Sequence, residues 1–187
     1  MSDQRPLLAI TMGDPAGVGP EIIVKALRHD AVFEQCRPLV VGDRRILARA
    51  AQWIGGGEPV FEMVDRIGAG AYVSGTLPLL DLENADPARI PPGKVNPIAG
   101  SAAVEYVFYA CDLAMAGEVD AVVTAPLNKE AMHLAGHNYP GHTELLALRT
   151  GAERVSMLLV GPQLRVVHVS THVSLHDAIR RITPERV

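Results

Sequence analysis

The 187-residue sequence is poor in aromatic residues and in positive charge, and both scarcities narrow the classes of protein it can represent. Aromatic residues make up 4% of the chain, too few for the stacking platforms that bind single-stranded nucleic acid. Seventeen Lys and Arg against 21 Asp and Glu give a formal net charge of −4, and no basic cluster offsets it. We therefore expect no nucleic-acid partner, whereas a small anionic ligand needs only a few local donors.

Cysteine and long apolar runs are also scarce. The two cysteines, Cys36 and Cys111, lie in apolar or helical surroundings without CxxC spacing, which predicts reduced, buried thiols in a cytoplasmic protein. A disulfide between them is the less favoured alternative. Residues 1–6 lack the apolar core of a signal peptide, and no run reaches the ~18 apolar residues of a membrane span. We therefore expect no membrane partner.

Apolar runs alternate with helical patterns along the chain, which predicts an α/β protein with a mainly parallel sheet. Pro78 indicates an edge strand for the run over 77–82, whereas the strand over 120–124 is expected to be central. Gly100 or Ser101 is expected to cap a long helix that ends at Gly117. The remaining predicted strands cover 7–12, 38–43, 59–64, 155–160 and 164–170. The remaining predicted helices cover 44–53, 144–149 and 174–182, and two further helices are expected to begin near Pro20 and near Lys129.

A glycine-rich segment, residues 13–21, separates the first strand from the first helix. Its spacing is GxxxGxG, which matches neither the GxGxxG dinucleotide fingerprint nor a P-loop. Its backbone N–H groups could hold an anion, but Asp14 and Glu21 would repel a phosphate placed beside them. The residues alone leave two interpretations open: a tight turn before a capped helix, or a wall of an active site.

Polar residues follow several of the predicted strands. The segments 12–14, 124–129 and 170–172 each come at a strand end, and the His142-Thr143 pair lies between the last two. Because ligands bind at the carboxyl ends of parallel strands, we expect these segments to converge.

Three side chains in these segments carry the chemistry. His142 could act as an acid, a base or a hydrogen-bond donor, although a loop histidine is common without any function. Lys129 could contact an anionic substrate, and the alternative is a solvated lysine. His172 is a candidate ligand for a divalent metal, but a catalytic site needs about three protein ligands and the residue pattern does not identify the others.

Four segments resemble, in order and separation, blocks of the 4-hydroxythreonine-4-phosphate dehydrogenase family. They are residues 10–21 (ITMGDPAGVGPE), 123–129 (VTAPLNK), 141–144 (GHTE) and 170–172 (STH). The similarity runs over essentially the whole chain. The family includes a D-threonate/D-erythronate 4-phosphate dehydrogenase branch, and the forms TMGDP and PLNK lean towards that branch.

The resemblance implies an isocitrate/isopropylmalate dehydrogenase-like three-layer α/β/α fold, here incomplete. It implies an NAD-dependent, metal-assisted homodimer that oxidises a small phosphorylated hydroxy acid and releases CO₂. The expected substrate is 4-phosphohydroxy-L-threonine, in pyridoxal phosphate biosynthesis. If the protein is an enzyme, the alternative substrate is D-threonate or D-erythronate 4-phosphate. If it is not an enzyme, the alternative is a non-catalytic fragment that only folds or dimerises.

By position, the resemblance implies that His142 and Thr143 bind substrate and that His172 binds the metal, Zn, Mg or Co. Asp14 and Lys129 lie in matching blocks and are the catalytic candidates bordering the pocket. The family's other metal-binding histidines and most of its NAD site lie in a second half that the 187 residues lack. We therefore expect residues 1–187 to be the N-terminal α/β portion of a longer two-domain dehydrogenase, inactive alone.

Overall fold

The computed structural model describes residues 3–68, 70–171 and 173–187, and the chain divides into a larger unit, residues 1–150, and a smaller one, residues 151–187. The larger unit contains, in chain order, β1 (Leu7–Thr11), α1 (Gly19–Ala26), α2 (Asp30–Gln35), β2 (Arg37–Gly42), α3 (Arg44–Ile54), β3 (Val60–Met63), β4 (Thr76–Asp81), α4 (Pro97–Met115), β5 (Ala121–Thr124), α5 (Lys129–Leu134) and α6 (His142–Thr150). The smaller unit contains β6 (Leu158–Val160), β7 (Arg165–Val167) and α7 (Leu175–Arg180).

The larger unit is built on a five-stranded sheet with the order β3-β4-β2-β1-β5, in which every pairing is parallel. Strand β1 pairs with β2 from Leu7 opposite Arg37 and with β5 from Leu8 opposite Ala121. Strand β2 is buried from its second residue to its last, as expected for a strand covered on both faces. The predicted α/β class with a parallel sheet is confirmed.

The strand order places a topological switch point between β1 and β5. From β1 the chain steps to β2 on one side, and after β4 it returns to β5 on the other side of β1. Right-handed crossovers in opposite directions put the connecting helices on opposite faces of the sheet. The segments that leave β1 and β5 therefore separate at this point, which is where open α/β sheets bind ligands.

Helix α4 is the central helix of the larger unit. Its cap is Asn96, whose Oδ1 accepts hydrogen bonds from the backbone N–H of Ile98 at 2.8 Å and of Ala99 at 3.4 Å, with Pro97 in the first turn. The prediction of a cap at Gly100 or Ser101 was wrong, because an Asn-Pro pair supplies both the side-chain acceptor and the preset φ of a helix start.

Length and composition alone would let α4 cross a membrane, and it is the one helix in the described ranges to pass that test. Ten of its residues are buried against the sheet and neighbouring helices, as in the core helix of a globular domain. At Gly100 it meets α5 so closely that a Cβ would overlap the carbonyl group of Ala131 and lie 2.6 Å from the Met132 nitrogen. The helix is therefore packed into the domain on several sides.

Two strand predictions were wrong in position. Strand β4 lies inside the sheet, between β2 and β3, although Pro78 suggested an edge. Pairing with β2 begins at Leu79, so the N–H that Pro78 lacks is not needed in that ladder. Strand β5, expected to be central, is the last strand of the sheet formed by the described residues, since the segments after it form α5, α6 and a separate hairpin.

The smaller unit contains a two-stranded antiparallel hairpin and a capped helix. Strands β6 and β7 pair from Leu158 opposite Val167, which confirms the predicted hairpin with shorter strands. Ser174 caps α7 by accepting a hydrogen bond from the Asp177 N–H at 3.2 Å. In the larger unit, both cysteines are buried and unbridged, as predicted.

Candidate active site

The candidate site is organised around the main chain of Ala125 and Pro126, directly after β5. The backbone N–H of Asp14 donates to the Pro126 carbonyl at 2.9 Å, and the N–H of Ala125 donates to the Thr11 carbonyl at 3.2 Å. The parallel register that sets Thr11 opposite Thr124 brings the two strand ends to the same level. The segments leaving β1 and β5 are thus joined at the switch point.

Gly13 makes this junction fit. Its φ of +73° lies in the left-handed region that residues with a side chain rarely adopt. A Cβ at this position would overlap the Pro126 carbonyl oxygen and lie 2.9 Å from the carbonyl carbon of Ala125. Only glycine lets the β1 exit lie this close to the β5 exit, so the glycine-rich segment has a packing role beyond the turn itself.

Asp14 follows at once and is 5% exposed. Its Oδ1 accepts a hydrogen bond from the Ala16 N–H at 2.8 Å. Burial raises the pKa of this carboxyl above its ordinary value, and the hydrogen bond from Ala16 opposes that shift in part. A buried carboxyl with a raised pKa at a strand end is typical of catalytic acids and bases, although buried structural carboxyls show the same shift.

The raised pKa of Asp14 predicts a pH-dependent stability. The folded protein binds the Asp14 proton more tightly than the unfolded chain does. The stability that this proton contributes is therefore fully present below the ordinary pKa of aspartate and is lost as pH rises through the raised pKa. Asp14→Asn keeps an acceptor for the Ala16 N–H but cannot ionise. In urea unfolding at several pH values, we expect the variant to be the more stable at pH 7 and its advantage to shrink towards pH 4. An advantage that does not change with pH would contradict a raised pKa.

His142 is the first residue of α6, rather than part of the loop before it. Its side chain is half-buried, and its Nε2 is fully enclosed without a hydrogen-bond partner among the described residues. Burial lowers the pKa of the imidazole, while a hydrogen bond with the backbone of Ala125 acts in the opposite direction. The lowered pKa favours a neutral ring at pH 7, which can give or take a proton.

Lys129 lies beside the turn that leads into α6. It is exposed at the start of α5, a helix capped by Asn128, whose Oδ1 accepts from the Ala131 N–H at 3.0 Å. A Cβ placed on Gly141 would be 3.9 Å from Lys129 Cε and 3.8 Å from Glu144 Oε2. The ammonium-bearing side chain therefore lies near the first turn of α6, and the N–H groups at the start of a helix also favour an anion.

The structure brings together most of the residues predicted for the site. The β1 exit, the β5 exit and the start of α6 meet around Ala125 and Pro126 through the Asp14 hydrogen bond and the His142 contact. Thr143, half-buried, follows His142 in the same helical turn. His172 lies outside the described residues, and Ser170 and Thr171 belong to the smaller unit, which is described by itself. Convergence of that segment with the other three stays a prediction.

The described side chains do not form a set of ligands that could hold a metal ion by themselves. Across 3–68, 70–171 and 173–187, no three His, Cys, Asp or Glu side chains group as metal ligands. The described residues therefore do not fit a complete metal centre, and we derive no chemical step through a metal.

Two contributions to the site were not predicted from the sequence. One is the Pro126 carbonyl, which fixes Asp14 through the main chain. The other is Arg49 of α3, whose guanidinium donates to the Pro15 carbonyl at 3.1 Å. A backbone acceptor has no side-chain signature, and an arginine in the middle of an amphipathic helix is typical of a solvated face, so neither pattern signals a role at the site.

A parallel sheet whose polar exit loops meet at its switch point defines the class: an α/β domain whose candidate ligand site lies at the carboxyl ends of its strands. The pattern of the family described as pyridoxal phosphate biosynthetic protein PdxA matches residues 34–187. The chain belongs to this family. The resemblance to 4-hydroxythreonine-4-phosphate dehydrogenases that the sequence motifs indicated is therefore confirmed, and so is the fold that it implied.

The relatives that resemble the chain carry two different enzyme names. It is 49% identical over 185 residues to D-threonate 4-phosphate dehydrogenase of Cupriavidus necator, covering 98% of the chain and 55% of the relative. It is 45% identical over 174 residues to 4-hydroxythreonine-4-phosphate dehydrogenase of Desulfosudis oleivorans, covering 92% and 51%.

A solved structure of a 4-hydroxythreonine-4-phosphate dehydrogenase from Burkholderia phymatum superposes with a TM-score of 0.90 at 50% identity, over 98% of the chain and 55% of that structure. The chain therefore spans about half the length of the relatives that it matches.

Proposed function

We propose that this chain carries the substrate-binding part of a dehydrogenase that oxidises a small phosphorylated hydroxy acid, 4-phosphohydroxy-L-threonine, in the formation of pyridoxal phosphate. The family membership supports the reaction class, because the relatives at 49% and 45% identity are both named 4-phosphate dehydrogenases. The reaction removes a hydride from the carbon of a secondary alcohol and a proton from its hydroxyl. The β-keto acid that results then loses CO₂.

The proposal rests mainly on the group of donor side chains at the first turn of α6. His142 and Thr143 begin this helix, and the Lys129 side chain lies beside Gly141 just ahead of it. A cation, a hydroxyl, an imidazole and the backbone N–H groups of a helix start are the donors that a phosphate monoester or carboxylate needs, and the Glu144 carboxylate lies in the same turn, close to Gly141. We assign substrate binding to His142 and Thr143, with Lys129 contacting the anionic end.

The buried Asp14 lies across the Ala125–Pro126 junction from these donors. With its raised pKa it is suited to exchange a proton with the substrate hydroxyl, and Lys129 is the other candidate for that step. NAD, when bound, would accept the hydride. In the complete protein we also propose His172 as a ligand of a divalent metal (Zn, Mg or Co), assembly as a homodimer and a cytoplasmic location.

D-threonate 4-phosphate is the second candidate substrate. The relative named for it is 49% identical to this chain, and two proteins named for 4-hydroxythreonine 4-phosphate are 45% and 50% identical, so sequence identity favours neither substrate. The two molecules share the phosphate, the secondary alcohol and the carboxylate, and the main chemical difference is an amino group in place of a hydroxyl. The donors at α6 address the shared groups, so they do not separate the two substrates.

An absorbance assay at 340 nm tests the activity directly. We expect no NADH formation by the 187-residue chain alone with either substrate, NAD and Mg²⁺, Zn²⁺ or Co²⁺. We expect turnover when residues 1–187 are completed with the remaining C-terminal part of the Cupriavidus necator relative, which is 49% identical to the chain. The better substrate is the one with the higher kcat/KM.

Two results would count against the proposal. Turnover by the 187 residues alone would contradict the expectation that the site is incomplete. A folded chimaera that forms NADH with neither substrate would remove the dehydrogenase assignment and favour the alternative of a fragment that only folds or dimerises. Circular dichroism and size-exclusion chromatography establish that the chimaera is folded.

A further inference from the structure

Arg49 links the loop that carries Asp14 to a distant segment of the chain. From the middle of α3, its guanidinium donates to three backbone carbonyls: Pro15 at 3.1 Å, Ile90 at 2.7 Å and Pro87 at 3.3 Å. One acceptor is the residue after Asp14, and the other two belong to the irregular segment between β4 and α4. A planar guanidinium with several fixed donors can bridge such acceptors, which a lysine cannot do equally well.

The Arg49 side chain is itself held in place. Its guanidinium carbon lies 5.2 Å from the centre of the Trp53 ring, one helical turn along α3. Its Nε is enclosed without a hydrogen-bond partner within the described part of the chain. A cation whose donors are used on carbonyls, not on a carboxylate, supplies positioning more than charge neutralisation.

A second hydrogen bond runs parallel to this bridge. The N–H of Gly93 donates to the Ala16 carbonyl at 2.7 Å, two residues after Asp14. On the opposite side, Asp14 is fixed by its own N–H to the Pro126 carbonyl. The Asp14 loop is therefore fastened on both sides: to the β5 exit by main chain, and to the 87–93 segment by Arg49 and Gly93.

We propose that Arg49 is a positioning residue for the site, which holds the loop that carries Asp14 in place beside the β5 exit by fixing the Pro15 carbonyl to the 87–93 segment. The proposal rests on the proposed function only in taking Asp14 as a group of the reaction. That Arg49 orders the loop carrying Asp14 does not depend on which substrate the protein binds. A merely structural Arg49 would stabilise the whole domain evenly, whereas a positioning Arg49 controls the loop specifically.

Amide hydrogen exchange of the 187-residue chain, followed by NMR without ligand, tests this difference. The Gly17 N–H donates to the Asp14 carbonyl at 2.9 Å, so its amide reports on the same loop as that of Gly93. In Arg49→Met, which keeps the bulk of the stem without the donors, we expect the Gly93 and Gly17 amides to exchange about tenfold faster or more, since bonds from a charged donor are lost. The β2 amides of Leu39 and Val40 should keep their protection. The ¹³Cγ resonance of Asp14 should shift or broaden.

Two further variants complete the test. Arg49→Lys should restore part of the protection at Gly93, because an ammonium group can reach one carbonyl but not three. Arg44→Met is the matched control: Arg44 lies on the same helix with its guanidinium 5.5 Å from the Phe61 ring, and it should leave Gly93, Gly17 and the Asp14 resonance unchanged.

The proposal is overturned if Gly93 and Gly17 in Arg49→Met lose protection only in parallel with the β2 amides, or not at all. It is also overturned if Arg49→Lys is no better than Arg49→Met. If Arg49→Met does not fold, the comparison of Arg49→Lys with the wild-type chain decides, since the same loop-specific loss is expected there to a smaller degree. None of these results depends on dehydrogenase activity, so failure here and failure of the proposed function are distinguishable.

Discussion

Gly13→Ala is expected to lower the free energy of unfolding by about 4 kcal/mol, combining backbone strain with overpacking. The strain arises because Gly13 has a φ of +73°. The overpacking arises because the new Cβ would overlap the Pro126 carbonyl oxygen, and a backbone oxygen cannot move aside by changing rotamer. Urea unfolding followed by circular dichroism measures the change.

Gly117→Ala separates the two costs. Gly117 has a φ of +71°, but nothing lies within 4 Å of its added Cβ. It should therefore show the strain alone, about 1 kcal/mol. Equal losses in the two variants would mean that the contact between the β1 and β5 exits is loose, and the account of how Asp14 is placed would then be wrong.

His142→Ala is expected to weaken binding of a phosphorylated hydroxy acid to the chain by about 10- to 100-fold, the cost of a lost hydrogen bond to a charged group. Lys129→Ala should have an effect of similar size on the same anionic group. Isothermal titration with 4-phosphohydroxy-L-threonine and with D-threonate 4-phosphate gives the affinities. Salt should weaken the Lys129 contribution more than that of His142, since an exposed cation is screened.

His29→Ala is the matched control, because His29 is an exposed imidazole at the start of α2. It should bind both phosphorylated acids as the wild-type chain does. If His142→Ala retains full affinity while remaining folded, the substrate-binding role of His142 is excluded. If the unphosphorylated acids bind as tightly as the phosphorylated ones, the site does not recognise a phosphate.

The sequence allowed most of the fold to be predicted, because its signals were local. Apolar runs of strand length, the Gly-stopped helices and the reduced cysteines were all predicted correctly. The errors in strand position occurred where a neighbouring strand decides the outcome, whereas the Asn96 cap of α4 and the short helix α2 were local features that the sequence reading missed. Pro78 suggested an edge, but the register that spares its missing N–H is a property of β2 and β4 together.

The site was predictable in part for the same reason. Polar groups at strand ends are visible in the sequence, and parallel topology brings them together, as Asp14, Lys129 and His142 illustrate. The positions of these groups depend on backbone acceptors, chiefly the carbonyls of Pro126 and Pro15, which every residue type possesses. No pattern of side chains could therefore identify Arg49 as the residue that fastens the Asp14 loop.

The most direct test of the site is an NMR chemical-shift map of the 187-residue chain titrated with 4-phosphohydroxy-L-threonine. The account predicts that the largest saturable shifts fall on the backbone amides of Asp14, Ala125, Lys129, His142 and Thr143, around the junction of β1, β5 and α6. Shifts confined to another part of the surface, such as the groove beside Arg28 and Gly57, with these five amides unmoved, would contradict it.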